Sequence, residues 1–537
     1  MFGEENNPQN VGGSSRAKGL LAIIIVGLVA VGLVFYIFNP FSPGSQTAKK
    51  TTLRIGIGVD ADTLDPAGQT TTTISNIVRF ISEPLFIADE RGEIVPWLAE
   101  SYNVSSDGRV YTIKLKKGIK FHDGTPFNAS AVKFTLERIL DPNVRVPGRA
   151  NYLVIDRVDV IDEHTVAVTL KHPFGPFISV LTGAYIISPK SAQELGDKIS
   201  QEPKGIGTGP YKFQEWVRGE KIVLVKNSEY WRGTPNFDTL IFEVIPDPQT
   251  RLAKLLSNEL DLIMQPPAAD IQSLENNPQV SVLKTLSTRI VYIGINTQYG
   301  PLQDVRVRQA INYAVDKEAI VKNVLFNLGK VMSSPVPDNV MSYVKLGPYE
   351  YNPEKAKRLL ADAGYPNGFK ITLQTPIGRY LFDKEIADAV AQYLRQVGVD
   401  VELKTIADWP TYVSSLFKPL NETTLQLYVL GWAVSTPDPH FYLYQRFHSQ
   451  FIAPNGFNTH FYKNDLVDRL LEEGMSTADP AIRENIYKQL NAILWEEAPV
   501  IYLHIQYFII VSSKDLKNVV LYPYEMIDLT FAEWTGK

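Results

Sequence analysis

The stretch from Glu83 to Leu140 reads EPLFIADERGEIVPWLAESYNVSSDGRVYTIKLKKGIKFHDGTPFNASAVKFTLERIL, and its rhythm changes from strand to helix. Val110 to Lys117 (VYTIKLKK) alternates, with Tyr111, Ile113 and Leu115 on one face, and the preceding Ser105 to Gly108 (SSDG) predicts a hairpin turn. Gly118 to Gly124 (GIKFHDG) sets two glycines and an Asp around Phe121, which is turn chemistry between strands. Asn128 or Ser130 then suits a helix cap. Outward from this stretch the strand signal returns in Val158 to Leu170, with Asp162, Glu163 and His164 at its turn.

Further on, helix and strand take turns. Asn352 can cap a helix, Pro353 fits its first turn, Leu359 and Leu360 fall on an apolar face, and Gly364 suits the stop. A strand is expected over Ile371 to Thr375. An amphipathic helix over Ile386 to Val397 ends at Gly398 and leads into Val399, Val401 and Leu403, which alternate as a strand does. The class implied is α/β, and no repeat of solenoid period occurs.

The length of 537 residues corresponds to three or four units at roughly 150 residues each. With 45% hydrophobic and 21% charged residues the chain can bury large cores. The formal charge is −5, with no basic block to follow a phosphate backbone, so nucleic-acid binding is excluded as a reading. Cysteine is absent, which removes disulfides, thiolate metal sites and cysteine nucleophiles.

Gly19 to Phe38 (GLLAIIIVGLVAVGLVFYIF) is an uncharged apolar run whose helical length of roughly 30 Å matches a hydrocarbon core. Arg16 and Lys18 before it favour a cytoplasmic tail of residues 1–18 and an extracytoplasmic body, with 19–38 as an uncleaved transmembrane anchor. A cleaved signal peptide is the rival, against which stands the length of the apolar run. Residues 39–52, rich in Pro, Gly, Ser, Thr and Lys, read as a flexible tether reaching on the order of 20 Å.

Several blocks then occur in a particular order. After Glu83 to Leu140 come Gly207 to Phe213 (GTGPYKF), Asn227 to Pro235 (NSEYWRGTP), Leu256 to Ile263 (LSNELDLI) and Leu302 to Val324 (LQDVRVRQAINYAVDKEAIVKNV). This collinear series resembles the solute-binding proteins of ABC importers for peptides, nickel and opines, from about Leu53 to near the C-terminus. The resemblance implies a two-lobed periplasmic-binding-protein-like fold with an extra subdomain. Residues 53–83, 207–291 and 507–537 would form the first lobe, 84–206 the extra subdomain and 292–506 the other lobe. Closure would occur about Gly205 to Pro210 and Val291 to Asn296.

Enzyme readings find little support in the residues. Ser130 to Lys133 (SAVK) fits S-x-x-K but has no SDN or KTG partner, and neither GxSxG nor HExxH occurs. Gly205, Gly207 and Gly209 lack the spacing and lysine of a phosphate loop and read as a tight chain crossing. Asp60, Asp62 and Asp65 form a carboxylate cluster, with Asp65-Pro66 suited to a turn. His122 reads as structural, and His440, His448 and His460 are too far apart for a closed metal site, although nickel-type relatives keep that reading open. No cofactor and no catalytic residue is implied.

For the ligand, Gly431 to Pro439 (GWAVSTPDP) resembles the family's cleft segment, with Trp432 as its tryptophan. Peptide-binding relatives typically carry an Asp three residues later, to pair with the peptide ammonium. Here that position is Ser435, which brings no charge, and Asp438 could substitute or cap the helix opened by Pro439. The resemblance further implies ligand contact near Thr63 and Leu64 and from Tyr211, Tyr292, Asn296, Trp409 and Tyr502. The expected protein is a monomer that captures a small polar ligand, foremost a peptide, and delivers it to importer permease subunits. Oligosaccharides and opine-like compounds remain alternatives, as does a surface binding or chaperone-like module without a transporter.

Overall fold

The computed structural model describes residues 50–536 apart from 69, 70, 435 and 437. The apolar run 19–38, most of the tether and Ser435 therefore lie outside the described residues. Among the described residues no helix is long and apolar enough to cross a membrane.

An eleven-stranded sheet organises most of this body. At its centre, Val280–Ile295 and Val500–Ser513 run antiparallel, 16 and 14 residues long. To one side lie Leu262–Met264, Thr52–Ile57, Thr239–Val244, Lys221–Lys226 and Tyr211–Val217, and to the other Leu427–Trp432, Phe369–Pro376 and Val399–Ile406. Separate cores form on the two sides, one with Leu53, Ile55, Phe242 and Ile510, the other with Ile293, Leu373, Val429 and Ile501. This is the α/β two-lobed arrangement, with the long strand pair running through both halves of one sheet.

The long pair is irregular where it passes from one half to the other. Its register shifts between Leu286 and Ile290 and again between Val291 and Tyr292. The first break lies just before Val291–Asn296, the crossing expected from the sequence. Ladder bonds lost there are replaced: Ser287 Oγ donates to Gln506 O at 2.7 Å and Thr288 N to Pro523 O at 2.8 Å.

The other expected crossing is a close backbone approach. Gly209 N donates to Ile81 O at 2.9 Å and Tyr211 N to Phe80 O at 2.9 Å. A Cβ on Gly207 would lie 1.8 Å from Ile81 O, so only glycine fits. His122 helps to clamp this crossing, its backbone N donating to Gly207 O at 2.7 Å and its Nε2 lying 2.9 Å from Gly209 O.

The opening stretch forms a second, four-stranded antiparallel sheet, in the order Ala99–Val104, Val110–Leu115, Thr165–Leu170, Ile155–Asp162. Tyr111, Ile113 and Leu115 are buried on its inner face, Gly108 takes the left-handed turn conformation, and helix Ala129–Leu140 covers the sheet. Asn128, not Ser130, is the cap: its side chain accepts from Ala131 N at 3.1 Å. Helix Pro353–Asp362 likewise starts from Asn352, accepting from Lys355 N at 2.8 Å, and Gly364 follows at φ +92°.

Candidate ligand cleft

Two adjoining chambers, of about 500 and 760 Å³, share part of their walls, and the larger is lined by Thr288 and Arg289 at the strand break. They share Thr71, Thr72, Trp432, Ala433, Val434 and Tyr524. Trp432 ends strand Leu427–Trp432, opposite Ile290 just beyond the break. Its Nε1 donates to Phe441 O at 3.0 Å and its ring meets Phe457 edge-on at 5.2 Å, so the indole is held in place with its face toward the chambers partly open.

The other residues expected at the ligand are placed differently. Leu64, Tyr211, Tyr292 and Tyr502 are core residues: Tyr211 lies on the inward face of an edge strand, and the stretches around Tyr292 and Tyr502 are buried on both faces. Tyr502 donates to Leu494 O at 2.7 Å and stacks on Trp495, while Tyr292 supports the buried Arg446 guanidinium at 4.3 Å. Asn296 is buried and donates to Leu425 O at 2.8 Å, a turn-fixing role. Thr63 accepts from Asp65 N at 3.1 Å, away from both chambers. Trp409 stands one layer back, stacked on Tyr412, with Arg379 4.9 Å above its ring.

Asp438 caps helix Pro439–Phe447 through His440 N at 2.9 Å and is fully engaged besides. Arg483 grips it with both arms at 2.7 and 2.6 Å, and Ser179 Oγ donates to it at 2.9 Å. Burial alone would raise this carboxyl, but Arg483 holds it below the usual carboxylate range. Asp60 and Asp65 are also structural: Asp60 accepts from Trp216 Nε1 at 3.0 Å, and Asp65 pairs with Arg138 at 3.1 and 2.6 Å. The histidines of the metal reading are set in rings, His440 edge-on to Phe174 at 5.5 Å and His460 with Tyr428 OH at 2.9 Å.

The charged lining was not read from the sequence. In the smaller chamber Glu83 is buried and accepts from Trp97 and Trp231 Nε1 at 2.8 and 2.9 Å, Tyr230 OH at 2.6 Å and Thr208 Oγ1 at 2.8 Å. Burial raises its pKa while these four neutral donors oppose the rise. Arg79 and Asp528 complete that chamber's charges. The larger chamber holds the Arg289–Glu525 pair, at 2.8 and 2.9 Å, and the exposed Arg379. A usable signal was Arg79 itself, a charge inside the apolar run IVRFI.

Residues 93–453 match the family model for bacterial extracellular solute-binding proteins, family 5 (middle). The chain belongs to this family. A relative named glutathione-binding protein GsiB, from Pectobacterium atrosepticum, is 33% identical over 484 residues, covering 90% of this chain and 94% of its own. The structure of HbpA2 from Haemophilus parasuis matches with a TM-score of 0.80 at 29% identity, over 90% of this chain and 99% of that one. The periplasmic binding protein DppA from Helicobacter pylori, solved with the peptide STSA, matches at TM-score 0.70 and 28% identity, over 91% and 99%. The solute-binding protein described here is thus the capture component of an ABC importer and not an enzyme.

Proposed function

We propose that this solute-binding protein captures a short peptide in the two chambers and presents it to the importer's permease subunits as a monomer. The observation that carries the reading is the cleft itself: charges of both signs line it, Arg79 and Asp528 in the smaller chamber and Arg379 in the larger, with Trp432 on the wall of both. A peptide is a zwitterion with apolar side chains between its charges, and it needs such partners once desolvated. The ligands named for the relatives, glutathione and a tetrapeptide, support the same class. In this reading residues 53–83, 207–291 and 507–537 make one lobe, 84–206 the extra subdomain and 292–506 the other lobe. The lobes close about the crossing at Gly207 and the strand break near Ile290. Residues 19–38 anchor the body outside the cytoplasm.

Melting of the full chain in detergent tests this against pools of short peptides, oligosaccharides and divalent metals. Ligand at 100 times its Kd stabilises by about 2.7 kcal/mol, so a shift with peptides alone is expected. A shift with sugars alone would move the function to carbohydrate capture. Replacing Trp432 by Ala should weaken peptide binding at least tenfold, since the ring closes both chambers.

A further inference from the structure

The smaller chamber is walled from two separately packed regions. Val180, Thr182 and Gly183 come from a segment that packs into the core of Tyr111, Phe177 and Leu181, whereas Trp432, Thr436 and His440 come from one whose core holds Tyr442, Leu443 and Tyr487. The regions meet where residues 174–182 face residues 436–477. Gly175 N donates to Met475 O at 2.7 Å, Ser179 Oγ donates to Asp438 Oδ2 at 2.9 Å, and the Phe174 ring stands edge-on to His440 at 5.5 Å. Thr182 and Thr436 close the row on the chamber wall, their hydroxyls 3.3 Å apart.

Each side is bound more firmly within itself than to the other. Asp438 takes both arms of Arg483 from its own side and a single neutral hydroxyl from across. Thr182 donates to Ser179 O at 2.7 Å on its own side, so toward Thr436 it can only accept. Among the described residues no ion pair joins 84–206 to 292–506. Neutral hydrogen bonds are worth only about fivefold each in an equilibrium constant, so a row of them can be parted and remade. The fit is nevertheless close: a Cβ on Gly175 would lie 2.0 Å from Thr477 O, and the approach depends on glycine there.

We propose that this contact is the releasable latch of the cleft, which parts as the lobes swing open, unseals the smaller chamber between Thr182 and Thr436, and re-forms over the ligand. The proposal rests on the lobe closure proposed above and names the contact that sets how fast ligand leaves.

Hydrogen exchange of the full chain in detergent reads the latch without a ligand. Segment 174–182 should exchange at least about a hundredfold faster than the ladder amides of Thr165–Leu170, because parting the contact leaves their shared core intact. Gly175→Ala pushes the two sides apart and removes no bonding group. It should speed that exchange further and shift the melting temperature by no more than about 3 °C. With glutathione as the probe, it should raise the dissociation rate at least about tenfold. The chain has no cysteine, so Thr182→Cys combined with Thr436→Cys can be joined by oxidation alone; dissociation of glutathione should then stop, and resume on reduction. Exchange of 174–182 at the rate of the ladder, or a much larger melting loss in Gly175→Ala, would make the contact a permanent interface and overturn the latch. Glutathione release that neither Gly175→Ala nor the oxidised pair alters would overturn it as well, since the contact would not then seal the chamber. If the native chain does not bind glutathione, the peptide reading loses its support, and the latch stands or falls on exchange and melting alone.

Discussion

Arg483–Asp438 and Arg79–Asp528 bring together the same two residue types, the first away from the chamber lining and the second on it, and they are built for opposite ends. In the first pair both arms of the guanidinium meet both carboxylate oxygens, Arg483 Nε donates to Gly474 O at 2.9 Å, and Ser179 fills a further acceptor site. In the second the charges stop 4.0 Å apart and Nη1 has no hydrogen-bond partner among the described residues. A satisfied buried pair is a fastening, because removing either half strands the other. An unsatisfied one has bonding capacity to give. The difference teaches that identity and burial do not assign a charged residue to scaffold or site; its residual hydrogen-bonding capacity does.

The sharpest way to break the comparison is to remove the fastening. Asp438→Ala leaves Arg483 buried and unpaired and frees Ser179, and it should cost about 3–5 kcal/mol in urea unfolding. It should also loosen the contact between the 174–182 and 436–483 segments, which Gly175 N to Met475 O at 2.7 Å otherwise holds. A loss below about 1 kcal/mol would show that the pair is a bystander. Ser179→Ala, which removes one donor and keeps the ion pair, should cost only about 1 kcal/mol.

Acid acts on the same region with a definite sign. His440 has its pKa depressed from 6.5 to about 3 by burial, so the unfolded chain binds the extra proton between those values. Its contribution is fully present above pH 6.5 and is lost as pH falls toward 3. Asp438, also depressed, adds a loss that sets in as pH falls through the ordinary carboxylate range and continues below it. His122, pushed down to about 4 by burial, acts in the same direction. The melting temperature should therefore fall from pH 6.5 downward, and His440→Phe, which suits a ring already packed among Phe174, Phe441 and Tyr444, should flatten that fall. An unchanged profile in the variant would remove His440 from the account.

What could be read in the sequence follows the range of the interactions. Helix starts at Asn128, Asn352 and Asp438 are written within three residues and appear as expected. The tight crossing at Gly207 was legible because close approach leaves glycine little substitute. Cleft contacts were less legible, since whether an aromatic on a strand faces the ligand depends on what covers the strand. Trp432 ends its strand at a chamber wall, whereas Tyr292 and Tyr502 lie in stretches of theirs that are buried on both faces. Arg79 escaped because its partner Asp528 is 449 positions away in the chain, and no local pattern joins them.

The smallest expected effect is the most discriminating. Arg79→Met keeps the stem and its packing on Tyr522 while removing a guanidinium that has no carboxylate within hydrogen-bonding distance. The losses are a cation–π contact, a hydrogen bond to Tyr522 and a weak Coulomb attraction, together about 1 kcal/mol once relief of the buried, unpartnered Nη1 is set against them. Urea unfolding of the ligand-free variant should thus lie within about 1 kcal/mol of the native chain, against several for Asp438→Ala. A loss comparable to that of Asp438→Ala would mean that Arg79 is a fastening after all, and the contrast between the two pairs would collapse. A near-zero loss would show that this guanidinium, although buried, contributes little to the fold, and the contrast with Arg483 would stand.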